Sequence, residues 1–367
     1  MKKILHFIGY LGRGGDTSVV MQIMNHGGED FHFDFVTHQP RADEEYVKKM
    51  RSMGSTVYVL PGDMRTLGPV HYLWTVHKLL RKIASQYDAI HVHTGLQGGL
   101  VLLAAKWNGI KIRISHAHTT DLQNKTNHLL KKTITPILRK LVISNSTCRV
   151  ACSSAAGRFL FGNADFRCIY NGVNTKLYHA VEMDDIERAK RELGIQENDL
   201  IVGHVANFGL MKNHVFDLEI ARRSQNSRVR FLIVGKGTNY DYIVHAAEGL
   251  GNKIIFTGQR SDVPTLLYCC DTVILPSLPG EGFPVSMIEA QAAGCNVVVS
   301  ENVTSEADIG VGLFRQIRLD DIFEWVKTID QLSPNRDYMT RRERLKQIEQ
   351  LGFDTEHFYH QWISIYS

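Results

Sequence analysis

The sequence predicts an α/β protein made of two doubly wound parallel sheets, and three observations lead there. Short apolar, β-branched runs alternate with segments of helical period, the βαβ pattern of a parallel sheet covered on both faces. The alternation occurs twice, on either side of the turn signal Asn171-Gly172. The chain, at 367 residues, also exceeds the size at which a single hydrophobic core usually stops growing.

In the first half the strands read KILHFIG, FDFVTH, TVYVL, AIHVH, KIRIS and RVACS. Between them, VHYLWTVHKLLRKI places Val70, Leu73, Val76, Leu80 and Ile83 at helical spacing. A charged helical segment, DDIERAKRELG, then leads into LIVGHVA, VRFLIVG, KIIFTG, TVILPS and NVVVS. Domains are expected over 1–172 and 178–352, with the aromatic segment 353–367 returning to pack on the first.

Composition narrows the function classes. Charged residues make up 22% and the apolar set 44%, which excludes a disordered chain. The start, MKKILHFIGYLGRGG, is basic, but Gly9, Gly12 and Arg13 break its apolar run, so it reads as a strand and not a signal peptide. No window reaches the ~18 apolar residues of a spanning helix, and a cytosolic protein is expected, peripheral at the inner face of the membrane at most. The six cysteines form no CxxC pair and are expected to be reduced packing residues. Residues 1–172 hold 22 Lys and Arg against 11 Asp and Glu, while the rest hold 20 against 27. A basic half points to an anionic partner, or to a solvated surface and nothing more.

In open α/β sheets ligands bind beyond the carboxyl ends of the strands, so the residues after each strand carry the functional argument. After TVIL the chain reads PSLPGEGFPVSMIEAQAAG, Pro276 to Gly294. Pro284 suits the first turn of a helix and Gly294 its end. Glu281 then sits in the strand-to-helix loop and Glu289 inside the helix. Unpaired N–H groups and the positive dipole end at the helix start suit a diphosphate. Taken singly, two such glutamates would be surface residues.

Three further groups follow strands. Gly12, Gly14 and Gly15, before Asp16, let the backbone approach a ligand, although a dinucleotide-binding turn looks similar. Lys212, in VANFGLMKNH, can neutralise an anionic leaving group. His91 with His93, and His116 with His118, end neighbouring strands, where residues i and i+2 share a face and can converge. Thr119 and Thr120 follow His118 where a carboxylate ligand would be sought, so a metal site is not expected. Nor does any Asp-x-Asp triplet occur to hold a divalent ion on a nucleotide diphosphate. Residues 122–142 place Lys125, Lys131, Lys132, Arg139 and Lys140 among Leu129, Leu130, Ile134, Ile137 and Leu138, with Pro136 as a kink. That is either a membrane-surface helix or a helix packed on its own domain.

The run from Glu281 to Glu289, with PS before it and EAQAAG at its end, resembles the E-x7-E signature of family 4 glycosyltransferases of the GT-B fold. The likeness continues in family order through LHFIG-LGRGG, YDAIHVH, RISHAHT, IYNGVN, GHVANFGLMKNH, FLIVGKG, IFTGQRSDVPTLL and DTVILPS, nearest to members that build bacterial capsule or exopolysaccharide. The resemblance implies two Rossmann-like domains with an interdomain cleft, the first binding acceptor and the second the nucleotide sugar. It implies retaining transfer of a hexose or N-acetylhexosamine, from a UDP-sugar ahead of a GDP-sugar, to a glycan or lipid-diphosphate-linked acceptor. Neither a cofactor, a metal nor a nucleic-acid partner is expected.

By the same resemblance Glu281 and His118 contact the donor sugar, Glu289 the ribose and Lys212 the diphosphate. Asn207, Gly235, Arg260, Gly282, Phe283, Pro284 and Val285 complete the donor site, and Gly14, Gly15 and Asp16 lie near phosphate and acceptor. Two positions depart from the pattern. Asp16-Thr17 stands where the family often has Ala-Glu, and Asn207 where it has Arg, so that side chain can hydrogen-bond but brings no charge. A sugar-nucleotide epimerase of the same architecture and a non-catalytic sugar-phosphate-binding protein are the alternatives. A dinucleotide-dependent oxidoreductase is disfavoured, since no GxGxxG opens a helix with an acidic partner downstream.

Overall fold

The first strand sets the pattern for both halves of the chain: β1 (Lys2–Phe7) buries its last four consecutive residues, which requires a sheet covered on both faces. The computed structural model describes residues 1–12, 15–26, 30–39, 43–120, 128–334 and 338–367. These divide into two units, Met1–Asn171 with Glu356–Ser367, and Gly172–Thr355.

In the first unit β1 is joined by β2 (Phe31–His38), β3 (Val57–Leu60), β4 (Ala89–Val92), β5 (Ile112–Ala117), β6 (Cys148–Ala151) and β7 (Arg167–Cys168). All pairings are parallel, in the order β3-β2-β1-β4-β5-β6-β7. The second unit repeats the plan with β8 (Leu200–Val205), β9 (Val229–Val234), β10 (Ile254–Gly258), β11 (Thr272–Leu275), β12 (Asn296–Ser300) and β13 (Phe314–Ile317), ordered β10-β9-β8-β11-β12-β13. Each sheet therefore reverses direction beside its first strand, between β1 and β4 and between β8 and β11.

Two strands have no counterpart in the sequence reading. β7 is only two residues long, and β13, FRQI, exposes its two central residues at a sheet edge. Neither offers the apolar run that marks a buried strand.

The chain's last helix, Thr355–Tyr366, packs on the first sheet. Phe358, Trp362 and Tyr366 recur every four residues, so they share one face, and all three are buried in one core with Ile4, Phe33 and Phe35. In the helix His128–Asn145, Pro136 lies inside the helix, Leu138 and Val142 are buried, and Ile134, Ile137 and Lys140 are exposed. Its backbone lies so near Gly99 that a Cβ there would come within 2.9 Å of the Leu138 carbonyl oxygen. Residues 122–127 of the basic segment lie outside the described residues. Among the described residues no helix is long and apolar enough to cross a membrane.

Because Trp362 is fully buried, Trp362→Ala should destabilise the protein by about 3–5 kcal/mol. Guanidinium denaturation followed by circular dichroism measures this, and an unchanged midpoint would contradict the packing.

Candidate functional site

Ligands enter doubly wound sheets where the strand order reverses. In the second unit that place is set by the loops following β8 and β11, and the two are bonded to each other. The Leu278 N–H donates to the Met211 carbonyl at 2.8 Å, and the Asn213 amide donates to the Pro276 carbonyl at 3.0 Å. Asn213 is left-handed, with φ 56°, a conformation Asn tolerates, and it turns the chain into the helix His214–Arg223.

Lys212 and Glu281 meet on these loops. The Lys212 ammonium lies 2.5 Å from Oε2 of Glu281, with side chains only 13% and 9% exposed. Ser277 Oγ is 3.4 Å from the same carboxylate oxygen. Three residues after Glu281, Pro284 takes an extended conformation and begins the helix Val285–Ala292, which no side chain caps. First-turn N–H donors and the positive dipole end therefore stand close in sequence to the ion pair. Gly282, Phe283 and Pro284 are buried and Val285 half-buried. Glu289, one turn into the helix, is half-buried by area, and desolvation of its carboxyl pushes its pKa up to about 7.

Three other expected residues have local partners. Asn207 is exposed, and its Oδ1 accepts the Gly209 N–H at 3.2 Å, shaping its own loop. At Gly235, with φ +140°, a Cβ would lie 1.9 Å from the Ala206 carbonyl oxygen, so only glycine lets the chain after β9 pass the chain after β8. Arg260 pairs with Asp262 at 2.8 and 2.7 Å and with Glu192 at 2.5 and 3.3 Å. Its guanidinium is thus committed to two carboxylates of its own unit.

Sequence reasoning missed a buried group within electrostatic reach of the ion pair. His204 Nδ1 lies 2.6 Å from Asp217 Oδ2, both fully buried. Burial raises the Asp217 pKa to about 8 and lowers those of His204 and His214 to about 3, so desolvation disfavours the charged form of each. The rings of His204 and His214 are parallel within 8° at 4.2 Å, and Phe208 continues the stack at 4.0 Å. Lone pairs in two such parallel ring planes cannot both reach one metal ion at about 2.0–2.1 Å. The three residues form a polar stack, for which nothing in the local sequence gives a signal.

In the first unit Gly15 and Asp16 open the helix Gly15–His26, and Gly14 lies outside the described residues. His118 follows β5 and is part-buried. The two HxH pairs do converge, and His6 joins them because β1 sets it in register with His91. Nitrogen separations are 2.9 Å for His93–His118, 3.0 Å for His6–His93 and 3.2 Å for His91–His116. Burial lowers His6 to about 3 and His91, His93 and His116 well below the ordinary histidine range.

Known proteins place these features in a family. The Glycosyltransferase Family 4 model matches residues 13–177, and the Glycosyl transferases group 1 model matches residues 185–316. EpsF of Bacillus subtilis (strain 168), described as a glycosyltransferase, is 30% identical over 97% of this chain and 94% of its own. The chain belongs to the group 1, family 4 glycosyltransferases. A second relative, the UDP-Gal:alpha-D-GlcNAc-diphosphoundecaprenol alpha-1,3-galactosyltransferase of Escherichia coli, is 26% identical over 62% of this chain and 61% of its own. Among solved structures, Anabaena Alr3699/HepE in complex with UDP and glucose gives a TM-score of 0.78 at 21% identity, covering 99% of both chains. The fold is GT-B. In this glycosyltransferase the E-x7-E glutamates therefore differ in surroundings, one paired with Lys212 and the other with its carboxyl pKa raised by desolvation.

That difference has a sign that can be measured. Glu289 binds its proton more tightly when folded, so its contribution to stability is full below about 4.5 and is lost as pH rises through about 7. Glu289→Gln has no such loss and should stabilise the ligand-free protein at pH 8, with little change at pH 4.5. Thermal denaturation at the two pH values reads this; a Tm lowered at pH 8 would show that Glu289 is not desolvated.

Proposed function

We propose that this glycosyltransferase moves a hexose or N-acetylhexosamine from a UDP-sugar to a lipid-diphosphate-linked or glycan acceptor in bacterial surface polysaccharide synthesis. Transfer retains anomeric configuration and needs no metal ion. One observation carries the reading: the Lys212–Glu281 pair, at the reversal of a doubly wound sheet, stands just ahead of an uncapped helix start with Glu289 behind it. Each part meets a different portion of a nucleotide sugar. Glu289 accepts the ribose hydroxyls, the first-turn N–H groups hold the diphosphate, and Glu281 takes a sugar hydroxyl. Lys212 exchanges part of its contact with Glu281 for the departing phosphate, where charge develops as the glycosidic bond breaks.

The freed phosphate accepts the acceptor's proton on the same face, so no pair of carboxylates need flank the anomeric carbon as in glycosidases. His118 donates a hydrogen bond to the sugar. Asn207, which brings no charge, leaves Lys212 and the helix dipole to neutralise the diphosphate. Support for uracil comes from HepE, solved with UDP, and support for a lipid-diphosphate acceptor from the Escherichia coli relative's named substrate. The exposed Ile134, Ile137 and Lys140, on the helix continuing from a basic stretch, support peripheral contact with an anionic membrane.

The test presents a lipid-diphosphate-linked sugar in anionic vesicles together with a panel of UDP-sugars and EDTA. The protein should sediment with the vesicles and lengthen the glycan by one residue, detected by mass spectrometry. Glu281→Gln should lower the rate by at least about a hundredfold. Loss of transfer in EDTA that magnesium restores would refute the metal-free mechanism, and absence of product with every donor would refute the transfer.

A further inference from the structure

We infer that His93 and His6 are positioning residues for His118: they form an end-to-end imidazole chain that fixes His118 in the Nδ1–H tautomer. The inference rests on the reading of His118 as the histidine that faces the donor sugar.

The contacts run from His6 Nδ1 to His93 Nε2 at 3.0 Å and from His93 Nδ1 to His118 Nε2 at 2.9 Å. Ring centroids are 5.3 and 5.1 Å apart, with the planes tilted by only 20° and 22°. Such separations belong to rings set end to end with nitrogens facing one another; face-stacked rings come closer, as His204 and His214 do at 4.2 Å. In a metal site the nitrogens would instead aim at one common point about 2.0–2.1 Å from each. Here they aim at each other, as N–H···N hydrogen bonds require.

Burial disfavours charge on His6 and His93, and a chain of neutral rings has a direction, because each internal ring donates at one nitrogen and accepts at the other. Its far end settles that direction. His6 Nε2 is buried without a hydrogen-bond partner. An orphaned buried N–H is rarer and costlier than an unused acceptor, so the His6 proton belongs on Nδ1. His6 then donates to His93 Nε2, His93 donates from Nδ1 to His118 Nε2, and the remaining proton of His118 lies on its Nδ1. That is the reverse of the tautomer a free imidazole side chain prefers.

A second row holds the first in place. His116 Nδ1 meets His91 Nε2 at 3.2 Å, and His91 Nδ1 meets the Tyr366 hydroxyl at 2.7 Å. Trp362 covers His91 and His116 at 4.6 and 4.9 Å. The last helix of the chain thus braces the histidines that direct His118.

The test uses the full chain with 15N-labelled histidine, free of ligand. Nitrogen chemical shifts of His118, assigned through His118→Ala, should report Nδ1–H. His93→Leu removes the donor to Nε2 and should move His118 to the Nε2–H form. His93→Gln, whose amide can donate to His118 and accept from His6, should keep it. With UDP-glucose as the probe, hydrolysis by His93→Leu should lose roughly ten- to a hundredfold in kcat, with KM little changed, and His93→Gln should recover most of it. An Nε2–H signal in the unmodified chain, or a tautomer unmoved by His93→Leu, overturns the inference; if the Leu variant does not fold, the unmodified and Gln spectra decide. Full turnover by His118→Ala would instead remove the reading of His118 at the sugar, whatever the spectra show.

Discussion

The ion pair between Lys212 and Glu281 is the constraint on which the rest of the second unit's functional surface depends. Both side chains are nearly out of water, where two charges repay their desolvation only if geometry is good and further hydrogen bonds are made. The loops meet that condition jointly: Ser277 supports the carboxylate, and backbone and amide bonds tie the segment after β8 to the segment after β11. Removing either charge would take from the other its ion-pair partner in a nearly dry surrounding, so the two loops are one structural object. A ligand phosphate offered to Lys212 replaces one anion by another without exposing the ammonium to a dry surrounding. This makes the pair compatible with an occupied as well as an empty site.

The two units manage polarity at their strand ends in different ways. In the second, Lys212 and Glu281 form an ion pair, while burial disfavours charge on Asp217, His204 and His214 and raises the pKa of Glu289. In the first, the sheet centre carries His6, His91, His93 and His116, all kept neutral by burial and satisfied largely by one another. Neutral imidazoles can be packed against Trp362 and Tyr366 at little electrostatic cost, which ammonium or carboxylate groups could not. Desolvation therefore disfavours charge near the strand ends of both units, and the Lys212–Glu281 ion pair stands against it.

Much of this was legible in the sequence, and the parts that were not share a reason. The strands that became the two sheet interiors were readable because apolar, β-branched runs must be buried on both faces; β7 and β13, short or half-exposed edge strands, carry no such run. The loop-and-helix placement of Glu281 and Glu289 followed from Pro284 and Gly294, and the shared face of each HxH pair from the two-residue period of a strand. The partner of Glu281 was not readable, since Lys212 lies 69 residues earlier and meets it only through the pairing of β8 with β11. His6 joined the histidine row for the same reason, through its register with His91. Arg260 was expected in the donor site, and only the fold brings Glu192 to it.

The claim at the centre is that the second unit's loops hold a nucleoside-diphosphate sugar, and binding tests it most directly. A ligand that binds only the folded protein raises apparent stability, by about 2.7 kcal/mol at a hundred times its Kd. In a thermal-shift panel of UDP-, GDP- and ADP-sugars, at least one UDP-sugar should raise the Tm of the unmodified chain and fail to raise that of Lys212→Ala. No shift with any nucleotide sugar, or a shift that survives Lys212→Ala undiminished, would contradict it.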